Sequence, residues 1–464
     1  MTSPRSLKPL VDLEFAFGVN SVPPTRSGPG EPWAPYADDW NRYLARTSFM
    51  LQQGRPVSDV AYYYGEEGPL VVMRGRIADT PRYNGFDFIN TEALQSAEVE
   101  DGRLVAPSDL KYRVLQLGGS SRMLTVPVLR RLKALVSAGL TVVGHAPDDT
   151  PSLSDNPAEF RRLRAELWGA DGKGRRLGKG RVQASQSVDQ ALAALGTGPD
   201  LTAQGARVGV DVLFQHRALS NGELYFVVSR SDKGGPAKLS FRQTGKAPEL
   251  WRADSRERTP LSYRIVNGRT IVPIDFRPND AVFVLFRDPA KAPQRNVPRP
   301  RAEVIATLDG DWQVSFAGGR GAPPTTTSLK PGSWTASSDP AIRYFSGVAT
   351  YTRTVDVPAS ALTGAGKVLL ALGEVRELAD VSVNGEQIGV RFTPPYSFDV
   401  TSVLKPGANQ IEIRVANLAA NRMIGATQAG AGSGGGGFGL VEYRPDAAPR
   451  PSGVIGPVTL VRER

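Results

Sequence analysis

The sequence predicts a multidomain protein in which an α/β unit is followed by two all-β units. Three observations carry this prediction. The chain has 464 residues, which is long for one domain and suits about three. Its 49 glycines and 37 prolines favour turn-rich β-structure over helical bundles. The apolar residues change from mixed helix and strand spacing before residue 199 to strand alternation after it.

Residues 1–54 contain one predicted strand and one predicted helix. Residues 13–20 are interpreted as a single buried strand. Residues 33–53 are predicted to be helical because Trp40, Tyr43 and Leu44 belong to a set of apolar residues at helical spacing. Two elements cannot bury a core alone, so the helix is expected to expose an apolar face that packs on another body.

Residues 55–198 are predicted to form a doubly wound α/β domain. Residues 57–64, 112–117 and 140–144 have the apolar runs of buried parallel strands. Residues 127–138 form an amphipathic helix that ends at Gly139. Two more helices, at 157–167 and 188–195, complete the prediction.

Residues 199–290 are predicted to be a small β-sandwich, and 291–303 a proline-rich linker. Hairpin turns are expected at Ser220-Asn-Gly222 and at Asn267-Gly268. Residues 304–464 are predicted to form a second sandwich. Its strands are expected at 342–351 and at 379–389, the latter turning at Asn384-Gly385, with two more strands between 394 and 417.

Composition excludes several kinds of chemistry. Without cysteine there is no disulfide, thiolate metal site or cysteine nucleophile, and two histidines, His145 and His216, nearly exclude a histidine relay. The net charge of +10 would suit a nucleic acid, but the basic residues are scattered. The basic cluster at 172–181 is short and glycine-rich, so it is interpreted as a solvated loop and not a phosphate site.

No nucleic-acid partner and no membrane association are therefore predicted, because no apolar run is long enough to cross a bilayer. The N-terminus lacks the apolar segment of a signal peptide, so the chain as written is expected in the cytoplasm.

The strands predicted at 342–351, 379–389 and 394–417 resemble the galactose-binding-like jelly-roll modules attached to large glycoside hydrolases. The order of further motifs resembles glycoside hydrolase family 106, the α-L-rhamnosidase-like family. These motifs are Tyr43-Leu-Ala-Arg46, Leu51-Gln-Gln-Gly-Arg-Pro-Val-Ser-Asp-Val60, Tyr64-Gly-Glu-Glu67, Gly85-Phe-Asp-Phe-Ile-Asn-Thr-Glu-Ala-Leu94, Asp101-Gly-Arg-Leu104, Tyr112-Arg-Val-Leu115, His216-Arg217, Glu249-Leu-Trp251 and Asn421-Arg-Met-Ile-Gly425.

The likeness runs from about residue 13 to the end and covers only the C-terminal portion of a family member. The resemblance implies that a TIM-like barrel lies upstream and that residues 1–54 are the remnant of its end. It also implies hydrolysis of α-L-rhamnosides with inversion, which needs an acid and a base carboxyl. Both are expected in the missing barrel and cannot be assigned here. Family members are expected to be periplasmic or secreted.

The resemblance further implies calcium in some members, but no Asp/Glu cluster here has the spacing of a calcium loop, so no cofactor or metal site is predicted. Two positions depart from the family pattern: Ala419 replaces an expected Trp and Ala426 an expected Asp. The chain alone is predicted to be inactive because the catalytic barrel is missing, and these two losses further weaken the case for a working site. The alternatives are a stand-alone carbohydrate-binding accessory protein and one chain of a split enzyme with a barrel polypeptide as partner.

The α/β domain also resembles the flavodoxin-like, amidotransferase-like domain of several β-galactosidases. Such an enzyme needs a cysteine nucleophile at a strand–helix elbow. The corresponding segment, Leu117-Gly-Gly-Ser-Ser121, has none, and neither Ser120 nor Ser121 fits the Gly-x-Ser-x-Gly pattern. The domain is therefore predicted to be a scaffold.

Two sets of side chains are candidates for contact with a rhamnose-containing glycan or glycoside. Polar groups that follow predicted strands could reach a sugar site, or could merely cap helices; they are Glu66, Glu67, Asp87, Asn90 and Glu92. Aromatic rings could stack on a sugar, or could belong to the sandwich cores, and one turn amide is grouped with them. This second set is Trp251, Trp312, Trp334, Tyr344, Asn384 and Tyr396.

Overall fold

The fold is a series of β-sheets, and two N-terminal helices share a hydrophobic core with the middle and C-terminal sheets. The computed structural model describes residues 2–24, 30–67, 80–119, 121–205, 212–317, 322–323, 326–363, 366–430 and 443–464. In this part of the chain there are eight α-helices and seven β-sheets. No helix of the described residues is long and apolar enough to cross a membrane.

The strand predicted at 13–20 is wrong, because helix α1, Pro4–Ala16, occupies the first half of that segment and no strand follows in the second half. Ser3 caps the helix by exchanging side-chain and backbone hydrogen bonds with Ser6, and Pro4 takes the first helical position. Its packing is set by Leu7, Val11 and Phe15, which recur every fourth residue, and not by the two-residue spacing of Phe15 and Phe17.

Helix α2, Ala37–Leu51, confirms the predicted helix, but its apolar face is not exposed. Trp40, Tyr43, Leu44 and Leu51 are all buried, and the Trp40 ring meets Phe392 edge-on at 5.6 Å. The expectation of an unpartnered apolar face is therefore wrong. Residues 2–24 and 30–54 hold two helices and no strand, so the last barrel strand expected there is absent from them.

The α/β region contains a six-stranded sheet in the order β3-β2-β7-β8-β10-β9 and a small three-stranded sheet, β4-β5-β6. The strands are β2 Val60–Tyr63, β3 Phe86–Ile89, β4 Glu98–Glu100, β5 Arg103–Val105, β6 Lys111–Tyr112, β7 Val114–Leu117, β8 Thr141–Val143, β9 Arg176–Leu177 and β10 Gly180–Gln183; a preceding strand, β1 Arg55–Pro56, joins the next unit instead. The helices are α3 Thr91–Ser96, α4 Val126–Ala138, α5 Pro157–Trp168 and α6 Val188–Ala194.

Five neighbouring strands of the larger sheet, β3, β2, β7, β8 and β10, are parallel. Their spatial order is the 2-1-3-4-5 order of flavodoxin-like sheets. One face packs on α4 and α5, and the other packs on α6, where Val60 and Val114 meet Val188. The three predicted helices are confirmed, and Gly139 ends α4 with a φ of 134° that favours glycine.

The middle region is a sandwich of two antiparallel sheets, β1-β12-β13-β19-β15-β16 and β11-β14-β18-β17-β20. The strands are β11 Leu201–Gln204, β12 Val212–Leu219, β13 Gly222–Ser229, β14 Gly235–Phe241, β15 Lys246–Trp251, β16 Arg258–Pro260, β17 Tyr263–Val266, β18 Arg269–Phe276, β19 Ala281–Pro289 and β20 Gln294–Arg295. Both predicted hairpins are confirmed. Asn267 and Gly268 have φ values of 50° and 72°, as a two-residue turn of this kind requires.

The C-terminal region is a second sandwich, with sheets β21-β32-β25-β29 and β23-β22-β24-β30-β27-β28 and the pair β26-β31. The strands are β21 Ala302–Thr307, β22 Trp312–Phe316, β23 Thr327–Leu329, β24 Val348–Val357, β25 Lys367–Ala371, β26 Glu374–Arg376, β27 Leu378–Val383, β28 Glu386–Arg391, β29 Ser397–Asp399, β30 Gly407–Ala416, β31 Gly453–Gly456 and β32 Thr459–Glu463; the helices are α7 Pro340–Arg343 and α8 Ala420–Gln428.

The single strand predicted at 342–351 is wrong in its first half. Asp339 caps α7 by accepting from the backbone N–H of Ala341, and Pro340 begins the helix. The strand starts only at Val348. The Asn384-Gly385 hairpin between β27 and β28 is confirmed.

One hydrophobic core joins three parts of the chain. Phe15, Trp40 and Tyr43 from the helices pack with Phe226 and its neighbours in the middle sandwich and with Phe392 and its neighbours in the C-terminal one. The sheets succeed one another in the predicted order. The domain boundaries proposed at 54, 198, 290 and 303 stay predictions.

Candidate functional site

A narrow cleft of about 160 Å³, with no space for a water molecule inside it, lies where β30 of the C-terminal sandwich runs into α8. It is lined by Glu377, Asn417, Leu418, Asn421, Arg450, Pro451 and Ser452. Carboxylate, amide, guanidinium and hydroxyl groups are the donors and acceptors that sugar hydroxyls need. This combination makes the cleft the candidate functional site.

The two asparagines fix the walls of the cleft. The Asn417 Nδ2 donates to Phe345 O at 2.8 Å and to Ser452 Oγ at 3.1 Å, while its Oδ1 accepts from Gly347 N at 2.9 Å. The Asn421 Nδ2 donates to Arg450 O at 2.8 Å and its Oδ1 accepts from Arg450 N at 2.7 Å. Both side chains are buried, and their remaining bonds, like those above, go to the backbone or to the Ser452 hydroxyl, which Asn421 Nδ2 reaches at 3.0 Å.

Two carboxyl groups from distant parts of the chain meet near this cleft. The Glu377 Oε2 accepts from Ser3 Oγ at 2.7 Å, and the Glu31 Oε2 accepts from Ala419 N at 3.3 Å. Burial raises the pKa of Glu31, and the Glu377 charge adds to this rise, although Ala419 N–H and Arg450 oppose it. The N-terminal segment therefore contacts the edge of the cleft, through Ser3 on the lining carboxylate of Glu377 and through Glu31 on Ala419 beside the lining residue Leu418.

The Asn421-Arg-Met-Ile-Gly425 motif has a packing reason for its glycine. A Cβ at Gly425 would lie 2.7 Å from Cγ of Tyr344, so only glycine allows α8 to lie on this ring. The Tyr344 hydroxyl donates to Oε1 of Gln428 at 2.6 Å. Tyr344 is half-buried and precedes Phe345, whose carbonyl accepts from Asn417, but its ring lies against Gly425 of α8.

Three of the other aromatic candidates lie in the sandwich core. Trp312, Trp334 and Tyr396 are only 1%, 3% and 2% exposed, which favours the core role over sugar stacking. Trp251 is half-buried, with the guanidinium carbons of Arg258 and Arg287 at 3.9 and 4.9 Å from its ring centre. Its ring is therefore already covered by cations.

Asn384 occupies the hairpin turn with a φ of 53°. Its Nδ2 donates to Val403 O and to Asn409 Oδ1, both at 2.9 Å, and its Oδ1 accepts from Gln410 N. These bonds hold the turn against the neighbouring loop. Sugar binding by Asn384 and by the aromatic residues stays a prediction.

The candidates Glu66 and Glu67 lie at the carboxyl edge of the parallel sheet, where the strand order reverses. Glu66 accepts from Thr125 N at 2.8 Å and from its hydroxyl, and Glu67 accepts from Met123 N at 3.0 Å. They therefore fix the start of α4. This is the capping role that was the alternative to a sugar contact.

Of the remaining polar candidates, Asp87 accepts from the Tyr112 hydroxyl at 3.2 Å, and burial raises its pKa. Asn90 caps α3 by accepting from Ala93 N at 2.8 Å, and Glu92 is exposed in the first turn of that helix. None of the five lines the cleft beside α8. Their possible contact with a sugar or an absent barrel stays a prediction.

The resemblance motif His216-Arg217 belongs to a buried charge cluster. Nδ1 of His216 faces Asp200 Oδ2 at 2.7 Å and its Nε2 faces Glu223 Oε2 at 3.1 Å, while the ring stacks on Tyr225 at 3.9 Å. Burial disfavours the imidazolium, but the two carboxylates outweigh burial and raise the pKa of His216. The cluster continues through Arg242 to Asp59, so it joins the middle sandwich to the α/β region.

No group of three or more His, Asp or Glu side chains among the described residues is arranged to hold a metal ion. Calcium, which the family resemblance implies for some members, is therefore assigned to none of these residues. None of the residues that line the cleft is among the predicted site residues, and only Asn421 belongs to one of the motifs that resemble the family. No local sequence pattern reveals that distant residues meet here, since Glu31 and its partner Ala419 are 388 positions apart.

Known proteins resemble this chain over most of its length. A solved rhamnosidase from Novosphingobium sp. PP1Y is 40% identical, with a TM-score of 0.84 over 100% of this chain and 46% of that chain. A Formosa agariphila protein named "Putative beta-glucuronidase" is 27% identical over 66% of this chain and 28% of its own length. The chain thus spans less than half the length of either relative.

Solved β-glucuronidases also match the chain, but only locally. Those of Ruminococcus gnavus and Bifidobacterium dentium are 24% and 27% identical, each over 26% of this chain, with TM-scores of 0.21 and 0.22. They cover 22% and 21% of those chains. At such TM-scores these likenesses carry no argument.

Two family profiles match separate parts of the chain. Residues 340–432 match the profile described as the glycosyl hydrolase 2 galactose-binding domain-like family, and this segment contains most of the cleft. Residues 28–265, just over half of the chain, match the profile of glycoside hydrolase family 106, described as alpha-L-rhamnosidase. The chain therefore belongs to glycoside hydrolase family 106.

Proposed function

We propose that this chain is the C-terminal, non-barrel part of an α-L-rhamnosidase-like glycoside hydrolase. It binds carbohydrate across the mouth of the cleft beside α8, since the cleft itself has no space for a water molecule, and it needs a catalytic barrel for hydrolysis. The observation that carries the proposal is the match to the Novosphingobium rhamnosidase, which covers all of this chain and 46% of that one. The family acts on carbohydrate, so a sugar is the expected ligand.

The chemistry of the cleft supports binding more than hydrolysis. Inverting hydrolysis needs one carboxyl as acid and another as base, separated by about 6.5–9.5 Å so that a water fits between sugar and base. Here the Glu377 carboxylate is held by the Ser3 hydroxyl, and Glu31 is tied to Ala419 N. Barrel enzymes carry their catalytic groups at strand ends of the barrel.

The proposal is tested by offering an aryl α-L-rhamnoside to the purified 464-residue chain and measuring release of the phenol. We expect no turnover above buffer. Glu377→Gln and the matched exposed control Glu374→Gln are assayed beside it. Turnover that disappears in E377Q but persists in E374Q would overturn the proposal, because it would place a catalytic carboxyl in the cleft.

Binding is measured separately by calorimetry with rhamnose-containing oligosaccharides. We expect weak binding that Arg450→Gln reduces at least threefold, because this residue supplies the charged donor of the cleft. Arg444→Gln is the control, since Arg444 is exposed and pairs with Asp446 outside the cleft. Equal effects of the two substitutions would contradict a sugar site at the cleft.

A stand-alone carbohydrate-binding accessory protein is the second candidate. The profile match of residues 340–432 to a galactose-binding-like domain favours it. The two candidates differ in one measurement: an accessory protein retains its glycan affinity and gains no hydrolysis when a family barrel polypeptide is added. Rhamnoside turnover that arises only on such mixing would favour the non-barrel part of an enzyme.

A further inference from the structure

The β9–β10 hairpin forms a cationic edge of the parallel sheet. The strand order places β9 last in its sheet, so one side of this hairpin faces away from the other strands. The turn is tight because Gly178 has a φ of 58° and a Cβ there would lie 2.4 Å from Ser137 O at the end of α4. The hairpin is therefore a fixed structure and not the solvated loop predicted from its composition.

Five cationic side chains are carried by nine residues of this segment: Lys173, Arg175, Arg176, Lys179 and Arg181. Four of them are exposed and Arg181 is half-exposed. Across the described ranges, none has an acidic group within ion-pair distance. The nearest acid in sequence, Asp171, accepts from the backbone N–H of Lys173.

Part of the neighbouring surface does pair its cations. Arg130 of α4 lies 2.7 Å from Glu159, and Lys133 lies 2.8 Å from Glu166. Arg162 bonds both of these glutamates. The hairpin therefore lies beside paired charges on α4 and α5 but has no ion pair of its own among the described residues.

Two of the cations oppose each other across the strands. Arg176 and Arg181 are direct partners in the β9–β10 register, so their Cβ atoms are about 4.5–5.5 Å apart on one face. Like charges in directly opposed positions are unfavourable. An anionic group bound between the two guanidinium groups would remove this repulsion, since guanidinium binds carboxylate through two parallel hydrogen bonds.

We propose that this cationic hairpin binds an acidic polysaccharide. The inference rests on the proposed function, which makes a glycan the expected partner. Single-stranded nucleic acid is less suited, because its binding uses aromatic rings as stacking platforms and residues 172–185 contain none. Carboxylate groups repeated along a uronate chain match a row of guanidinium and ammonium groups without any such ring.

The test is affinity electrophoresis of the full chain in native gels that contain polygalacturonate, its methyl ester or neutral dextran. The test variant replaces Lys173, Arg175, Arg176, Lys179 and Arg181 with Gln. The control variant removes the same charge from exposed cations elsewhere, by replacing Lys233, Arg264, Lys291, Lys330 and Lys405 with Gln. Both variants are compared with the wild type in melting temperature, so that a folding defect is recognised.

We expect retardation by polygalacturonate but not by the methyl ester or dextran, with an affinity at least tenfold lower in the hairpin variant and nearly unchanged in the control. The binding should weaken as salt rises. Equal losses in the two variants, or no retardation of the wild type, would overturn the proposal. Tighter binding to single-stranded DNA of equal charge would also overturn it. None of these outcomes depends on rhamnoside turnover, so the proposed function is judged separately.

Discussion

Nδ1 of His216 lies 2.7 Å from Oδ2 of Asp200, and both side chains are almost entirely removed from solvent. The other ring nitrogen faces Glu223. A neutral imidazole can donate from only one nitrogen, so this arrangement suits the doubly protonated ring. The raised pKa of His216 and the lowered pKa of Asp200 follow from the same pairing, which overcomes burial in both.

This pairing predicts a loss of stability at high pH. A histidine whose folded pKa is raised above its unfolded value of 6.5 contributes fully below that pH, and the contribution falls as pH rises through the folded pKa. We expect the free energy of unfolding of the wild type to exceed that of His216→Gln by the largest amount below about pH 6.5. Denaturant midpoints measured from pH 6 to 9 check this. His145→Gln, at an exposed histidine, is the control, and an identical pH slope in the two variants would contradict the prediction.

Breaking the buried pair between Lys8 and Asp12 is expected to be costly. Their side chains are 3% and 1% exposed, the nitrogen and oxygen are 2.6 Å apart, and Tyr43 also donates to Asp12. Asp12→Asn would leave the ammonium buried without its counter-charge and cost about 3–5 kcal/mol. The exposed pair of Arg42 with Asp39 on α2 provides the control, because D39N should cost less than about 1 kcal/mol. Denaturant unfolding of both variants distinguishes them.

Trp334 and Trp251 are expected to respond differently to truncation. The indole of Trp334 packs on Phe316 and Phe345 and donates to the Tyr351 hydroxyl at 2.5 Å. Trp334→Ala should therefore destabilise the C-terminal sandwich by about 3–5 kcal/mol. Trp251→Ala loses two cation–π contacts at a half-buried site and should cost only about 1–2 kcal/mol. Thermal unfolding of the two variants shows which substitution destabilises the protein more. Equal losses of stability would argue against the core assignment of Trp334.

Glu66 is expected to matter for the start of α4. Glu66→Ala removes the acceptor for Thr125 N and should cost about 1 kcal/mol. Glu92→Ala removes an exposed carboxylate in the first turn of α3 and should stay within about 0.5 kcal/mol. Reduced oligosaccharide affinity in E66A at unchanged stability would instead support a sugar contact.

Gly425 provides a test of packing in the cleft wall. Alanine usually stabilises a helix by about 1 kcal/mol relative to glycine. At this position the added Cβ meets the Tyr344 ring, so Gly425→Ala should destabilise by about 1–3 kcal/mol. In a Tyr344→Ala background the same substitution should become neutral or stabilising. A double-mutant cycle from unfolding midpoints checks this, and additive effects would contradict the contact.

Local patterns in the sequence predicted much of the fold. The Asn267-Gly268 turn placed its two flanking strands correctly because the turn type fixes the register. The helix that ends at Gly139 was found because its apolar spacing and its cap agree. Helix α1 was missed because Phe15 and Phe17 alternate over a short stretch, whereas the four-residue spacing from Leu7 to Phe15 becomes meaningful only once a partner sheet is present.

The candidate site was predicted less well, for a physical reason. The Asn421 amide of the α8 motif is visible in sequence, but Glu377 reaches the cleft only through packing of the C-terminal sandwich, and Glu31 reaches Ala419 beside it only through packing of the N-terminal segment. Buried aromatic residues and sugar-stacking aromatic residues have the same composition and spacing. Only burial separates Trp312 and Trp334 from a ring that faces solvent.

The core shared by the N-terminal helices and both sandwiches bears on how this chain could be dissected or recombined. An isolated piece from residue 304 onward would present Leu378, Phe392 and Leu418 to water, since these residues pack on the helices and the middle sheet. The C-terminal sandwich is therefore not an exchangeable cassette. Grafting it onto another enzyme would require either the two helices to travel with it or polar replacements on the face that they cover.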